Sequence, residues 1–418
     1  MYLTHLSLTN FRSFARLDMD IPRRVVLLTG ANAQGKTSIL EAIYFLAAFT
    51  SFQTHTDRQL VNFIEARKTL AVGRLVAEYV RGPAKHRLEI RLVLEAVGAS
   101  GQRLRKEILL DGIKRPLAEV IGHFNAVIFV PQMTQIIEGG PEARRRYLNL
   151  ALAQSVPGYA RQLSEYGEAL TQRNALLKIL AERSADPSQL DFWDESIART
   201  GASIILRRIE AIQEIEKLAV RLHSELTHSK EVLRLHYQPA YDPYLPGHGQ
   251  IALALSTPVQ RNGLDEKDIR QGFLDALQHG RSEEIRRGVT VVGPHRDELR
   301  VLANGIDLSD FGSRGQVRTA MLALKLAEIE WMKTRTGQWP VLLLDEVLVE
   351  LDGQRRQDLL ACLDRVEQAV LTTTDLQSFA PDFVEKAEVW QVEGGEVRKK
   401  EVESSEQETE SSEENREQ

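Results

Sequence analysis

Eight consecutive residues carry the clearest chemistry in this chain: Gly30, Ala31, Asn32, Ala33, Gln34, Gly35, Lys36 and Thr37. They match G-x-x-x-x-G-K-[ST] at every fixed position. The glycines let the backbone curl so that successive N–H groups point inward at phosphate oxygens. A helix that starts at such a loop adds its unpaired N–H groups and the positive end of its dipole. Lys36 places a point charge on the terminal phosphates, and Thr37 offers a hydroxyl to Mg²⁺. Ser38 follows within reach of the same anion. The pattern implies binding of ATP with Mg²⁺.

Two further loops have the composition to complete such a site. The apolar residues Val341, Leu342, Leu343 and Leu344 run straight into Asp345 and Glu346. A carboxylate pair at the carboxyl end of a buried strand lies where open α/β sheets bind their ligands. Asp345 suits the Mg²⁺ shell and Glu346 suits a base that polarises an attacking water. Ser313, Arg314, Gly315 and Gln316 precede an apolar helical stretch, so Ser313 can cap that helix and its N-terminus can meet an anion. Glu350, Leu351 and Asp352 follow the acidic pair. Phosphate loop, signature loop, acidic strand and a second acidic loop, in that order, are the arrangement of an ABC-type ATPase. In that class the signature loop of one subunit completes the nucleotide site of another.

These loops need elements to hold them. Alternation over Met1–Leu8 predicts a half-buried strand, and the continuous apolar run Val25–Thr29 a strand buried on both faces. A helix is expected from about Lys36 to Phe49. Strand-like runs recur at 71–111, at Ala126–Val130, at Val289–Val292, at Val341–Leu344 and at Ala369–Leu371, with a helix over Val317–Thr334. Helical spacing of Leu163, Tyr166, Leu170, Leu177 and Leu180, and of Ile205, Ile209, Ile212, Ile215, Ala219 and Leu222, predicts a helical hairpin across about 159–226. Its turn holds Ser184, Asp186, Pro187 and Ser188. Residues 236–258, rich in Pro, Gly and Tyr, read as a loop. The fold expected is therefore α/β: an ATPase head in two parts, 1–140 and 281–400, split by a helical arm at 141–280.

With 418 residues the chain is too long for one ordinary core. Residues 401–418 hold eight Glu and one Arg against a net charge of −6, so the first 400 residues carry about +1. That tail is expected to be a solvated, disordered segment. The single cysteine, Cys362, excludes an internal disulfide and a cysteine-based zinc site. Residues 1–20 lack the apolar core of a signal peptide, and no run reaches the roughly 20 apolar residues of a membrane span. A cytoplasmic location is the expectation.

Four stretches beyond the phosphate loop resemble the RecF family, bacterial relatives of the SMC class of ABC-type ATPases. They are Asn10–Phe14, Gln172–Leu177, Gly293–Leu299 and Leu344–Asp352. The resemblance spans about residues 1–395. It implies that Arg12 lies near the nucleotide phosphates and that Ser313, Gly315 and Gln316 reach a partner subunit's γ-phosphate. It places Thr374 where transporter relatives carry a switch histidine. It further implies an ATP-dependent homodimer on double-stranded or gapped DNA, weak DNA-dependent ATP hydrolysis, and partnership with RecR, RecO and RecA. Val317 departs from the family's second glutamine at that position, and Gln53 stands where relatives often carry Arg. Gln132 is a candidate further ligand of the nucleotide.

The arginine run Arg144–Arg146 and the pairs Arg286–Arg287 and Arg355–Arg356 suit phosphate contacts, although adjacent arginines on helices more often solvate a face. There is no base-reading motif, so DNA contact is expected to be backbone-directed. His295, beside Arg296 and Asp297, reads as part of a structural network. A transporter ATPase subunit and a structural SMC-like linker are the competing readings. The inserted helices and Thr374 argue against the first, and the shortness of the helices against the second.

Overall fold

The computed structural model describes residues 1–400 except 55, 98–100, 183–185, 245–260, 262 and 351–352. The acidic tail, Ser184 and the Leu351–Asp352 part of the second acidic loop lie outside the described residues. Among the described residues fifteen strands make three sheets. The first is antiparallel, in the order β2 (Phe14–Asp20), β1 (Tyr2–Phe11), β4 (Leu70–Arg81), β5 (Ala84–Val97), β6 (Gly101–Leu110) and β7 (Ile113–Lys114). The second runs β15 (Glu396–Lys399), β14 (Glu388–Glu393), β3 (Val25–Thr29), β13 (Ala369–Thr373), β12 (Val341–Asp345) and β8 (Ala126–Phe129). It is parallel apart from the β14–β15 hairpin. A small third sheet joins β11 (Ile306–Asp307), β10 (Glu298–Ala303) and β9 (Leu233–Gln238).

The parallel sheet separates two cores. Side chains alternate across a strand, so neighbours in sequence go to opposite faces. Val26, Leu28, Ile128, Leu343 and Val370 pack with the antiparallel sheet and the phosphate-loop helix. Leu27, Phe129, Leu342, Leu344 and Leu371 pack with the long helices. Burial on both faces is why these strands read as unbroken apolar runs. The helix Lys36–Ala48 lies between the parallel and antiparallel sheets and buries nearly every side chain, Ile39, Leu40, Ile43 and Phe45 among them.

The expected helical hairpin is present as Tyr159–Glu182 and Asp191–Leu226, and a third helix, Glu266–Arg287, packs onto it. The third helix is strongly charged and turns only Ile269, Phe273, Leu277 and Glu284 inward, a narrow stripe among many charges. The 280 boundary falls inside it. The 36-residue helix Asp191–Leu226 extends about 54 Å at 1.5 Å per residue. Its far half lies along Arg314–Thr336, where Glu214 accepts from Trp331 Nε1 at 2.8 Å and from Arg335 at 2.6 and 2.8 Å. The insertion thus shares one continuous core with the head.

Two other expectations fail locally. Val289–Val292 is not a strand. Two of its backbone donors are taken by side chains instead, Asn174 Oδ1 accepting from Thr290 N at 2.8 Å and Glu284 Oε1 from Val291 N at 2.8 Å, while Val289 N donates to the Glu284 carbonyl at 3.2 Å. Residues 236–238 are not loop but the end of β9, paired antiparallel with β10.

Candidate nucleotide site

The register of the parallel sheet brings the motifs together. Asp345 pairs with Thr372, and Thr373 pairs with Thr29, the last residue before the phosphate loop. The carboxyl ends of β3, β12 and β13 therefore meet on one edge of the sheet. Gly35 caps the following helix at φ 111°, and a Cβ there would sit 2.8 Å from the Phe14 ring. Only glycine satisfies both limits. No side chain caps this helix, so its first N–H groups are left to an external acceptor.

Lys36 is 4% exposed and folds back over the loop, donating to the carbonyls of Gly30 at 2.7 Å and Ala31 at 3.0 Å. Its Nζ is 3.7 Å from Glu346 Oε1. Thr37 Oγ1 donates to Asp345 Oδ1 at 2.8 Å. Thr372 Oγ1 donates to the same oxygen at 2.8 Å and accepts from Glu346 N at 3.1 Å. Burial raises the Asp345 carboxyl above its ordinary range, with the Glu346 charge adding and the Thr372 and Thr37 hydroxyls opposing. Glu346 takes the left-handed conformation, φ 53°, and keeps its side chain exposed. A non-glycine residue at positive φ is uncommon and clusters at functional sites. Gln34 Oε1 accepts from Gly394 N at 2.7 Å, tying the loop to the β14–β15 turn.

A cleft of about 560 Å³ opens over this edge, lined by residues 32–38, Arg12, Ser13, Gln53, Gln59, Phe63 and Glu346. Its groups fit a polyphosphate with a divalent cation. The loop N–H groups, Lys36 and Arg12 are donors for phosphate, and Thr37 with Asp345 is a hydroxyl–carboxylate oxygen pair of the kind Mg²⁺ takes.

Other candidates lie elsewhere. Ser313 and Gln316 form a capping box at the start of Arg314–Thr336: Gln316 N donates to Ser313 Oγ at 3.3 Å and Ser313 N to Gln316 Oε1 at 3.0 Å. Gln316 Nε2 also donates to Glu231 at 2.7 Å. Ser313, Arg314 and Gly315 are exposed, and the loop is not part of the cleft. Val317 is 1% exposed and packs in the core, so valine at this position fills space. Gln132 lines a separate cavity of about 220 Å³ with Tyr44, Tyr147, Lys325 and Glu328. Thr374 is exposed; it is Thr372 that meets Asp345.

The arginine run at 144–146 is graded from buried Arg144 through half-buried Arg145 to exposed Arg146, and each has a partner in the fold. Arg144 forks onto Glu298 at 2.7 and 2.8 Å, Arg145 donates to the Asp297 carbonyl at 2.8 Å, and Arg146 donates to the Ser51 carbonyl at 3.0 Å. Arg286 and Arg287 both pair with Glu283. Arg356 donates to the Leu348 carbonyl at 3.1 Å. His295 is a packing histidine between Tyr166 Oη at 2.7 Å and the Thr290 carbonyl at 3.1 Å; burial depresses it to about 4. Asp297 binds Arg208 and Tyr237 in the same buried network.

Two residues at the site went unread in the sequence. Thr372 is one. Glu41 is the other: it is fully buried on the phosphate-loop helix and receives the Arg12 fork at 2.6 and 2.7 Å. Its spacing from Lys36 carries no signal. A charged residue in the otherwise apolar stretch Ile39–Ala48 is the sign that was available.

A parallel sheet with a phosphate loop and an acidic strand on one edge, an antiparallel sheet over the loop helix and a helical insertion define an ABC-type ATPase head. The family model described as RecF/RecN/SMC N terminal domain matches residues 2–395. The DNA replication and repair protein RecF of Herpetosiphon aurantiacus is 38% identical over 408 residues, 94% of this chain and 99% of that protein. That of Roseiflexus castenholzii is 38% identical over 407 residues, with the same coverage. The structure of the recombination mediator protein RecF-ATPrS in the RecFOR pathway superposes with a TM-score of 0.80 at 29% identity, covering 95% of this chain and 98% of that one. An Smc head bound to the C-winged helix domain of ScpA shares the fold, with a TM-score of 0.50 at 14% identity. The chain belongs to the RecF family. Among the described residues no helix is long and apolar enough to cross a membrane.

Proposed function

We propose that this chain acts in DNA replication and recombinational repair as an ATP-dependent DNA-binding protein, with ATP joining two copies into a clamp. The observation that carries this reading is the division of the site. Lys36, Thr37 and Glu346 line one cleft with Asp345 bonded to Thr37 at its edge, whereas Ser313 and Gly315 lie exposed and Gln316 half-buried outside it. A second copy would bring its signature loop to the γ-phosphate. Gly30, Ala31, Asn32, Ala33, Gln34 and Gly35 cradle the phosphates with backbone N–H groups, and Lys36, Ser38 and Arg12 add side-chain contacts. Thr37 and Asp345 would hold Mg²⁺, which would supply charge neutralisation at the phosphates. Glu346 orients the attacking water.

Hydrolysis is weak, DNA-dependent and a means of reopening the dimer. DNA, double-stranded or gapped, is held through its backbone, with RecR, RecO and RecA as partners in the cytoplasm. Support for these assignments is the family membership together with the site geometry. Of the charge clusters most visible in the sequence, Arg144 is committed to Glu298 inside the fold, whereas Arg146, Arg286 and Arg287 keep exposed side chains that suit a phosphate backbone.

The test is the mass of the particle by light scattering with ATP, with ADP and without nucleotide. A dimer is expected with ATP alone, because only the γ-phosphate bridges the subunits, and its binding energy then appears as association. Ser313→Arg is expected to leave ATP binding by the monomer intact and abolish the dimer. Equal dimer fractions in all three states, or normal dimerisation of Ser313→Arg, would sink the clamp.

A further inference from the structure

Glu41 is a buried carboxylate whose cationic partner, Arg12, lines the cleft. It lies on the buried side of the phosphate-loop helix, fully enclosed, where a carboxylate persists only if paired and hydrogen-bonded. Arg12 supplies both, with Nε on Oε2 at 2.6 Å and Nη2 on Oε1 at 2.7 Å. The Ser51 hydroxyl donates to Oε1 as well. Ser51 Oγ in turn accepts from Gln53 N at 2.9 Å and Thr54 N at 3.0 Å.

The backbone of Arg12 is held just as firmly. It stands at φ 52°, its N–H donates to the Leu60 carbonyl at 2.8 Å, and its carbonyl accepts from Asn62 Nδ2 at 2.7 Å. Nη1 donates to the Gln59 carbonyl at 3.2 Å. Of the five guanidinium donors, one on Nη1 and one on Nη2 are left by these contacts. Arg12, Gln53 and Gln59 all line the nucleotide cleft, and Glu41 does not.

We propose that Glu41 is a positioning residue for the nucleotide. Its carboxylate fixes the fork of Arg12 and, through Ser51, the turn that carries Gln53, so both side chains face the cleft before ATP arrives. Preorganised donors lose less freedom on binding than donors that must be gathered. The inference rests on the reading that this cleft takes ATP.

A double-mutant cycle on ATP affinity, measured by calorimetry, tests it. Glu41→Gln is expected to weaken ATP binding about fivefold in the parental chain, the scale of a charge-assisted contact re-aimed rather than deleted. In the Arg12→Ala background the same change is expected to cost less than about twofold, because Arg12 is no longer there to be aimed and the glutamine Oε1 still accepts from Ser51, which keeps the Gln53 turn. An equal loss in both backgrounds would reduce Glu41 to a fold-supporting residue, and no loss in either would overturn the proposal outright. Failure of the parental chain to bind ATP would instead remove the reading beneath it. Arg12→Lys covers the case in which Glu41→Gln does not fold. A lysine keeps the charge but cannot be forked, so it is expected to lose as much affinity as Arg12→Ala; retained affinity would overturn the proposal.

Discussion

The helices that start at Lys36 and at Arg314 both open on glycine-bearing loops, and their first turns are finished in opposite ways. The first has a left-handed glycine cap and no side-chain partner for its leading N–H groups. The second is closed by its own side chains, Ser313 and Gln316 satisfying each other's backbone donors. An uncapped helix start inside a cleft is an anion site waiting for its ligand. A capped start on the surface is a stable helix end that must loosen its box before the serine can turn to a phosphate. Such a box is worth about 1 kcal/mol. On the proposed clamp, the nucleotide would settle first on the Lys36 loop, and engagement of the Ser313 loop would draw on the additional energy of a second copy.

The largest effect that separates the two regions concerns hydrolysis. Glu346→Gln keeps the shape of the acidic edge but removes the base, and turnover is expected to fall at least about 100-fold with ATP binding retained. Phosphate release at the parental rate would show that Glu346 does not orient the water. Next in size is Lys36→Ala, which deletes a charge-assisted contact worth roughly 1.5–3 kcal/mol. ATP affinity should drop about tenfold to a hundredfold, and an unchanged calorimetric Kd would remove the lysine from the site. The smallest effect sharpens the contrast from the other side. Ser313→Ala opens the capping box and is expected to cost about 1 kcal/mol of stability while leaving monomer ATP affinity unchanged. A thermal melt and a binding isotherm on the same sample decide it. Weakened ATP binding by the monomer would mean that the signature loop serves its own cleft.

What was legible in the sequence was local or strictly ordered. The phosphate loop could be read because backbone curvature demands glycine at fixed spacing, and the acidic edge because an apolar run ended on Asp345 and Glu346. The two long helices of the insertion announced themselves through wide apolar stripes. The third, Glu266–Arg287, turns only a thin stripe inward and passed as solvent-facing charge. Val289–Val292 had the composition of a strand but no neighbour to pair with, since Asn174 and Glu284 hold the Thr290 and Val291 N–H groups. Arg144 looked like a surface charge and is a buried strut on Glu298, 154 residues away.

Composition and order alone determined that this is an α/β protein with a phosphate loop, an acidic strand end and a helix capped by Ser313, because each follows from residues within a few positions of one another. Only the tertiary structure decided that Thr37, Asp345 and Thr372 share one hydrogen-bonded corner, that Arg12 is aimed by Glu41, and that Val317 fills core. Those outcomes depend on sheet register and helix packing, which bring together residues tens to hundreds apart, and no local pattern encodes which distant partner a buried polar group will find.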